Sequence, residues 1–66
     1  MSTIADQEEE YQLRAALEAT GGSKARAAHR LGLKIEKVHA LVRKHGMVAE
    51  VLDIRARARA RYRLSD

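Results

Sequence analysis

The 66-residue chain has no cysteine, no proline, no tryptophan and no phenylalanine. Without cysteine there is no disulfide to staple a small fold and no thiolate to hold a metal. Two tyrosines are the only aromatics, too few for a platform on which bases could stack. No apolar run approaches the roughly 18 residues of a membrane span. No basic-then-apolar leader opens the chain, so the cytoplasm is the expected compartment. A chain of about 60 residues buries only about 60% of the surface that its unfolded form exposes. One thin-cored domain is therefore the upper limit, and oligomerisation is a natural source of further stability.

Charge is unevenly spread along the chain. Residues 1–20 hold Asp6, Glu8, Glu9, Glu10 and Glu18 against Arg14, a net of −4. Residues 21–46 hold Lys24, Arg26, Arg30, Lys34, Lys37, Arg43 and Lys44 against Glu36, a net of +6. Residues 47–66 hold five Arg against Glu50, Asp53 and Asp66, a net of +2. The total of +4 would mean little by itself, but +6 in the central stretch points to a polyanion partner.

Ala, Leu, Arg, Glu and Lys dominate the chain and favour an all-α fold. The spacing predicts a first helix from an Asp6 cap, with Glu8, Glu9 and Glu10 at the positive end of its dipole. Leu13, Ala16, Leu17 and Thr20 form its buried face, and Gly21-Gly22 stops it. A second, short helix runs from a Ser23 cap to Gly32, with Ala27, Ala28 and Leu31 inward. A third runs from Ile35 to His45 with Val38 and Val42 inward and Gly46 closing it. Lys34 is a poor cap for this third helix.

In the last stretch, Met47, Val51, Ile54, Ala58 and Tyr62 fall within about 80° on a helical wheel, which predicts a fourth helix. The Arg-Ala alternation of 55–63 also fits an extended arm that would present all five Arg on one side. The expected organisation is a disordered start at 1–5, a helix-turn-helix domain at 6–46, and a C-terminal helix with a basic tail at 47–66.

A short helix, a tight turn with Gly and a second helix make a helix-turn-helix, here 23–31, Gly32-Leu33 and 35–45. A DNA major groove about 12 Å wide accepts one such helix, while the preceding helix crosses the backbone. Ser23, Lys24 and Arg26 beside free N–H groups suit a phosphate. The outward face of the third helix carries Glu36, Lys37, His39, Arg43 and Lys44. Ala40 lies between them, small enough to meet a thymine methyl. Arg55, Arg57, Arg59, Arg61 and Arg63 are expected to add phosphate or minor-groove contacts.

The run Ala16-Leu-Glu-Ala-Thr-Gly-Gly-Ser-Lys-Ala-Arg-Ala-Ala-His-Arg-Leu-Gly-Leu33 resembles the C-terminal DNA-binding domain of the Fis family and of NtrC-type activators. The end of the third helix, Arg43-Lys-His-Gly-Met47, continues the likeness, which spans about residues 12–47. The resemblance implies a homodimer formed through helices 1 and 2, with Leu13, Ala16, Leu17 and Thr20 at the interface. It also implies that the third helix of each protomer enters successive major grooves of double-stranded DNA. Lys34 replaces the family's usual Ser or Thr cap. Ile35, Ala40 and Leu41 stand where many members carry polar or basic readers, so the reading face is less basic and the Arg-rich tail would compensate.

Other chemistries find little footing. His29, His39 and His45 are ten and six residues apart, not the i, i+4 pair of a helical metal site. No metal and no cofactor is expected. None of the hydroxyls of Ser2, Thr3, Tyr11, Thr20, Ser23, Tyr62 or Ser65 adjoins a histidine in sequence, so no enzyme is expected. The sequence thus predicts a small DNA-binding regulator or architectural protein of the nucleoid, in a bacterium or phage. The alternative is an interaction module for RNA polymerase or a larger regulator, motivated by the acidic first helix and by an apolar Ile35/Leu41 surface.

Overall fold

The computed structural model describes residues 4–64, with side chains as far as Arg61. Four helices follow one another: α1 Ile4–Ala19, α2 Lys24–Leu31, α3 Ile35–Lys44 and α4 Val48–Leu64. The all-α expectation holds. Ile4 and Ala5, expected in a disordered start at 1–5, are helical; residues 1–3 lie outside the described residues. Asp6 consequently sits in the first turn of α1 rather than at its cap.

The first three helices end in the same way. Gly21, Gly32 and Gly46 each take a positive φ, of 65°, 69° and 63°. The next amide then reaches back to a carbonyl of the last turn: Gly22 N to Leu17 O at 2.8 Å, Leu33 N to Ala28 O at 2.9 Å, and Met47 N to Val42 O at 2.8 Å. This closure satisfies carbonyls that a helix end leaves open, and its left-handed residue is one that glycine adopts without a Cβ penalty. Between α1 and α2, Thr20 Oγ1 donates to Ala16 O at 2.8 Å, and Ser23 Oγ accepts from Arg26 N at 3.2 Å. A serine cap of this kind is worth about 1 kcal/mol. Lys34 occupies the cap position of α3 and makes no side-chain bond there, as its chemistry predicts.

The core draws on every helix: Leu13, Ala16 and Leu17 of α1, Ala27 and Ala28 of α2, Val38, Leu41 and Val42 of α3, then Met47, Val51 and Ile54. Small alanines let α2 approach closely, and Leu31 packs at the edge. Two expectations are corrected here. Leu41 is only 4% exposed, because it shares the inner side of α3 with Val38 and Val42, so it is not part of a reading surface. Leu13, Ala16 and Leu17 are likewise interior. Met47, Val51 and Ile54 join them within one protomer, which leaves none of these three side chains for a partner. Thr20 is half-buried and spends its hydroxyl on its own helix end.

The last segment is one continuous helix, not an extended arm. Alanine's helix propensity and the apolar Met47–Val51–Ile54 stripe outweigh the repulsion among its arginines. Its beginning is part of the core, where Met47, Val51 and Ile54 pack with the buried residues of the first three helices. Beyond Ala58, which lies against Gly21, residues 59–61 are exposed.

Candidate nucleic-acid interface

With Val38, Leu41 and Val42 turned inward, helical periodicity places Glu36, Ala40 and Arg43 at the centre of the outer side of α3. All three are exposed. His39 lies on one flank and Lys37 on the other, both exposed. Ile35 adds a partly exposed apolar group, 39% accessible, at the start of the helix. The expected reading residues Glu36, Lys37, His39, Ala40 and Arg43 therefore share one outward surface.

The His39 flank meets the start of α2. Ser23, Lys24 and His39 line a groove together with Gly21, Gly22 and Arg55 of α4. Arg26 is exposed on the neighbouring side of α2, where it lines a second shallow groove with Thr20, Ala25, His29 and Arg30. The closeness of Arg55 to Ser23 and Lys24 has no signature in the sequence, since it depends on how α4 crosses the α1–α2 turn.

Ion pairing divides the cations into two groups. Lys44 Nζ lies 3.1 Å from Asp6 Oδ1 and 3.0 Å from Glu9 Oε1. His45, whose side chain is 8% exposed, places Nε2 2.9 Å from Glu9 Oε1 and Nδ1 3.4 Å from Glu10 Oε1. Arg14 bonds Glu10 and Glu50. Arg57 bonds Glu18 at 3.2 Å and Asp53 at 3.1 Å. In contrast, Lys24, Arg26, Arg30, Lys34, Lys37, Arg43, Arg55, Arg59 and Arg61 have no carboxylate partner among the described residues. Arg63 lies outside the described side chains.

Two expected site residues thus have other engagements. A phosphate at Lys44 would compete with two carboxylates, whose hydrogen bonds raise the pKa of the ammonium. Arg57 faces α1. The hydrogen bond from His45, then that from Lys44, lowers the pKa of Glu9, and Arg14 lowers that of Glu50. The Glu8–Glu10 run is therefore more than a solvated helix start. Glu9 and Glu10 hold the C-terminal end of α3 against α1. The i, i+4 spacing of Asp53 and Arg57 was readable in the sequence; the pairs from α1 to α3 and α4 were not. Among the described residues no cluster of three or more His, Asp or Glu is placed to hold a metal ion, and no helix is long and apolar enough to cross a membrane.

A helix-turn-helix built in this way defines a class of bacterial regulator. The family model described as "Bacterial regulatory protein, Fis family" matches residues 4–38, which is 35 of the 66 residues. The chain belongs to the Fis family of bacterial regulatory proteins, and that membership points to a DNA-binding regulator. The match ends at Val38, inside α3, so His39, Ala40, Arg43 and all of α4 lie beyond it. No curated protein and no solved structure matches the chain significantly.

Proposed function

We propose that the protein is a double-stranded DNA-binding transcriptional regulator or DNA-architectural protein. It docks the outer side of α3 in the major groove while the start of α2 grips the backbone. The observation that carries this reading is the segregation of its cations. Among the described residues Lys24, Arg26, Lys37 and Arg43, around α3 and the start of α2, have no carboxylate partner, while Asp6, Glu9, Glu10, Glu18, Glu50 and Asp53 are engaged elsewhere by Arg14, Lys44, His45 and Arg57, which leaves Glu36 as the one acid of α3. Unpaired cations release counterions when a phosphate arrives; paired ones must first lose a carboxylate.

The protein acts as a homodimer, so that two α3 helices reach major grooves about one helical turn, roughly 34 Å, apart. Because Leu13, Ala16 and Leu17 are interior, the exposed sides of α1 and α2 serve as the interface. There Tyr11, Gln12, Ala15 and Arg30 border a shallow groove. Two observations favour DNA over RNA polymerase or another regulator as the partner. Asp6, Glu9 and Glu10 of the acidic α1 are occupied by Lys44, His45 and Arg14, and the buried Leu41 removes half of the apolar surface that would support a protein partner.

Anisotropy of a labelled random duplex across salt concentrations tests this. A dimer with about 8 to 10 phosphate contacts gives a log–log slope near −7 to −9. Absence of binding at low salt refutes the reading.

A further inference from the structure

The two flanks of α4 differ in a way that the established family match, which ends before α4 begins, does not cover. At 100° per residue, Glu50, Asp53 and Arg57 fall within about 60° of one another. This flank faces α1, where Arg57 meets Glu18 and Glu50 meets Arg14. Arg55 lies about 160° away from Arg57 on the same wheel, on a flank that holds no acidic residue of α4.

That flank faces the α1–α2 turn. Arg55 lies across Gly22, where an added Cβ would overlap Arg55 Cγ and stand 3.1 Å from Arg55 N. Its side chain lines the same groove as Ser23, Lys24 and His39. Three nitrogen-bearing side chains from three helices therefore border one groove beside the reading surface, and neither Lys24 nor Arg55 has a carboxylate partner among the described residues.

We propose that Arg55 joins Ser23, Lys24 and His39 in holding one phosphodiester strand, which makes α4 a fourth DNA-contacting element flanking the helix-turn-helix. The assignment rests on the DNA-binding reading above. Within the arginine-rich segment it separates two roles. Arg55 meets the phosphate backbone, and Arg57 pins α4 to α1. Arg59, one turn beyond Arg55 on the same flank, extends the contact along the strand.

The test compares the full-length parent with Arg55→Gln, Arg57→Gln and Arg55→Lys, by anisotropy of a duplex of about 25 base pairs over a range of salt. Glutamine keeps most of the side chain's reach over Gly22 and removes only the charge. Arg55→Gln is expected to flatten the log–log slope by about 0.9 per protomer and to weaken binding about eightfold per protomer at 0.1 M salt. Arg57→Gln and Arg55→Lys keep the parental slope, because counterion release follows the charge at the backbone. Thermal melts of the parent and the variants identify any loss that comes from unfolding, and Arg55→Met, neutral and of similar reach, supplies the slope if glutamine is not tolerated. A parental slope and affinity in Arg55→Gln, or the same loss in Arg55→Lys, overturns the role of Arg55 while leaving α3 docking intact. A parent that binds no duplex at low salt overturns both.

Discussion

Arg14 of α1 grips Glu50 of α4 with two hydrogen bonds, Nε to Oε2 and Nη2 to Oε1, the latter at 3.2 Å. The same Nη2 also reaches Glu10 Oε2 at 3.1 Å. A guanidinium fork on a carboxylate fixes direction as well as distance, so this pair sets the angle at which α4 lies on α1. It is partly exposed, with side-chain accessibilities of 39% and 35%, and solvent screens it. A double-mutant cycle of Arg14→Ala and Glu50→Ala in urea is expected to give a coupling of about 1 kcal/mol, the upper end for exposed pairs. A coupling indistinguishable from zero would mean that α4 is held by its apolar face and the Arg57–Glu18 pair without help from Glu50.

Acid should loosen the molecule at two identified places. The folded-state pKa values of Glu9 and Glu50 lie below the ordinary 4.5. A group whose folded pKa is depressed contributes stability above its unfolded pKa and loses it as pH falls through the folded value. Lys44 runs the opposite way. Its pKa is raised above 10.5, so its contribution is present at neutral pH and lost only as strongly alkaline conditions deprotonate it. The expected profile is a flat Tm around neutrality that falls below about pH 4.5. Glu9→Gln should show a shallower acid fall than the parent, and an unchanged profile would assign the acid sensitivity elsewhere.

Core substitutions should rank by position. Leu17 is fully buried, whereas Leu31 packs at the edge of the cluster. Leu17→Ala is expected to cost about 2–5 kcal/mol, enough to unfold a domain of this size near room temperature. Leu31→Ala should cost less and leave a measurable thermal transition. Equal losses would mean that Leu31 is buried by something else in solution, such as a second protomer.

The glycines offer a comparison in which strain is common and space differs. Gly22 and Gly32 take φ of +83° and +69°, but only Gly22 faces a neighbour, Arg55. Gly32→Ala should cost about 1–2 kcal/mol, the ordinary left-handed penalty. Gly22→Ala should cost more, because α4 must also shift. Chemical denaturation of the two variants orders them, and the reverse order would contradict the placement of α4 over the turn.

On the DNA side, Arg43→Ala is expected to weaken duplex binding and to reduce the salt slope by about 0.9 per protomer, while Lys44→Ala should change it little because Lys44 is already paired. Equal losses for both would show that DNA draws Lys44 away from Asp6 and Glu9. Anisotropy titrations of the two variants separate these outcomes.

Local signals carried much of this architecture. Gly21, Gly32 and Gly46 marked three helix ends, Ser23 marked a start, and the 3.6-residue spacing of Val38 and Val42 told the inner side of α3 from the outer. The grouping of Glu36, His39, Ala40 and Arg43 followed from that spacing alone. Relations between helices were not readable in this way. The family resemblance set Leu41 among positions where many members carry polar or basic readers, yet the inner side of α3 is wide enough to bury it with Val38. Leu13, Ala16 and Leu17 had the correct periodicity for burial, but periodicity does not say whose side chains cover them. Pairs such as Arg14–Glu50 join residues 36 apart through a crossing angle that no short stretch of sequence encodes.

The shared core has a consequence for motion. Met47, Val51 and Ile54 lie in the same cluster as Val38 and Val42, so α3 cannot keep its inner side dry if α4 detaches. Amide protons in the middle of α3 and of early α4 should therefore exchange with solvent through one common opening event. Whatever grips the arginine-bearing helix also stiffens the helix that faces the bases.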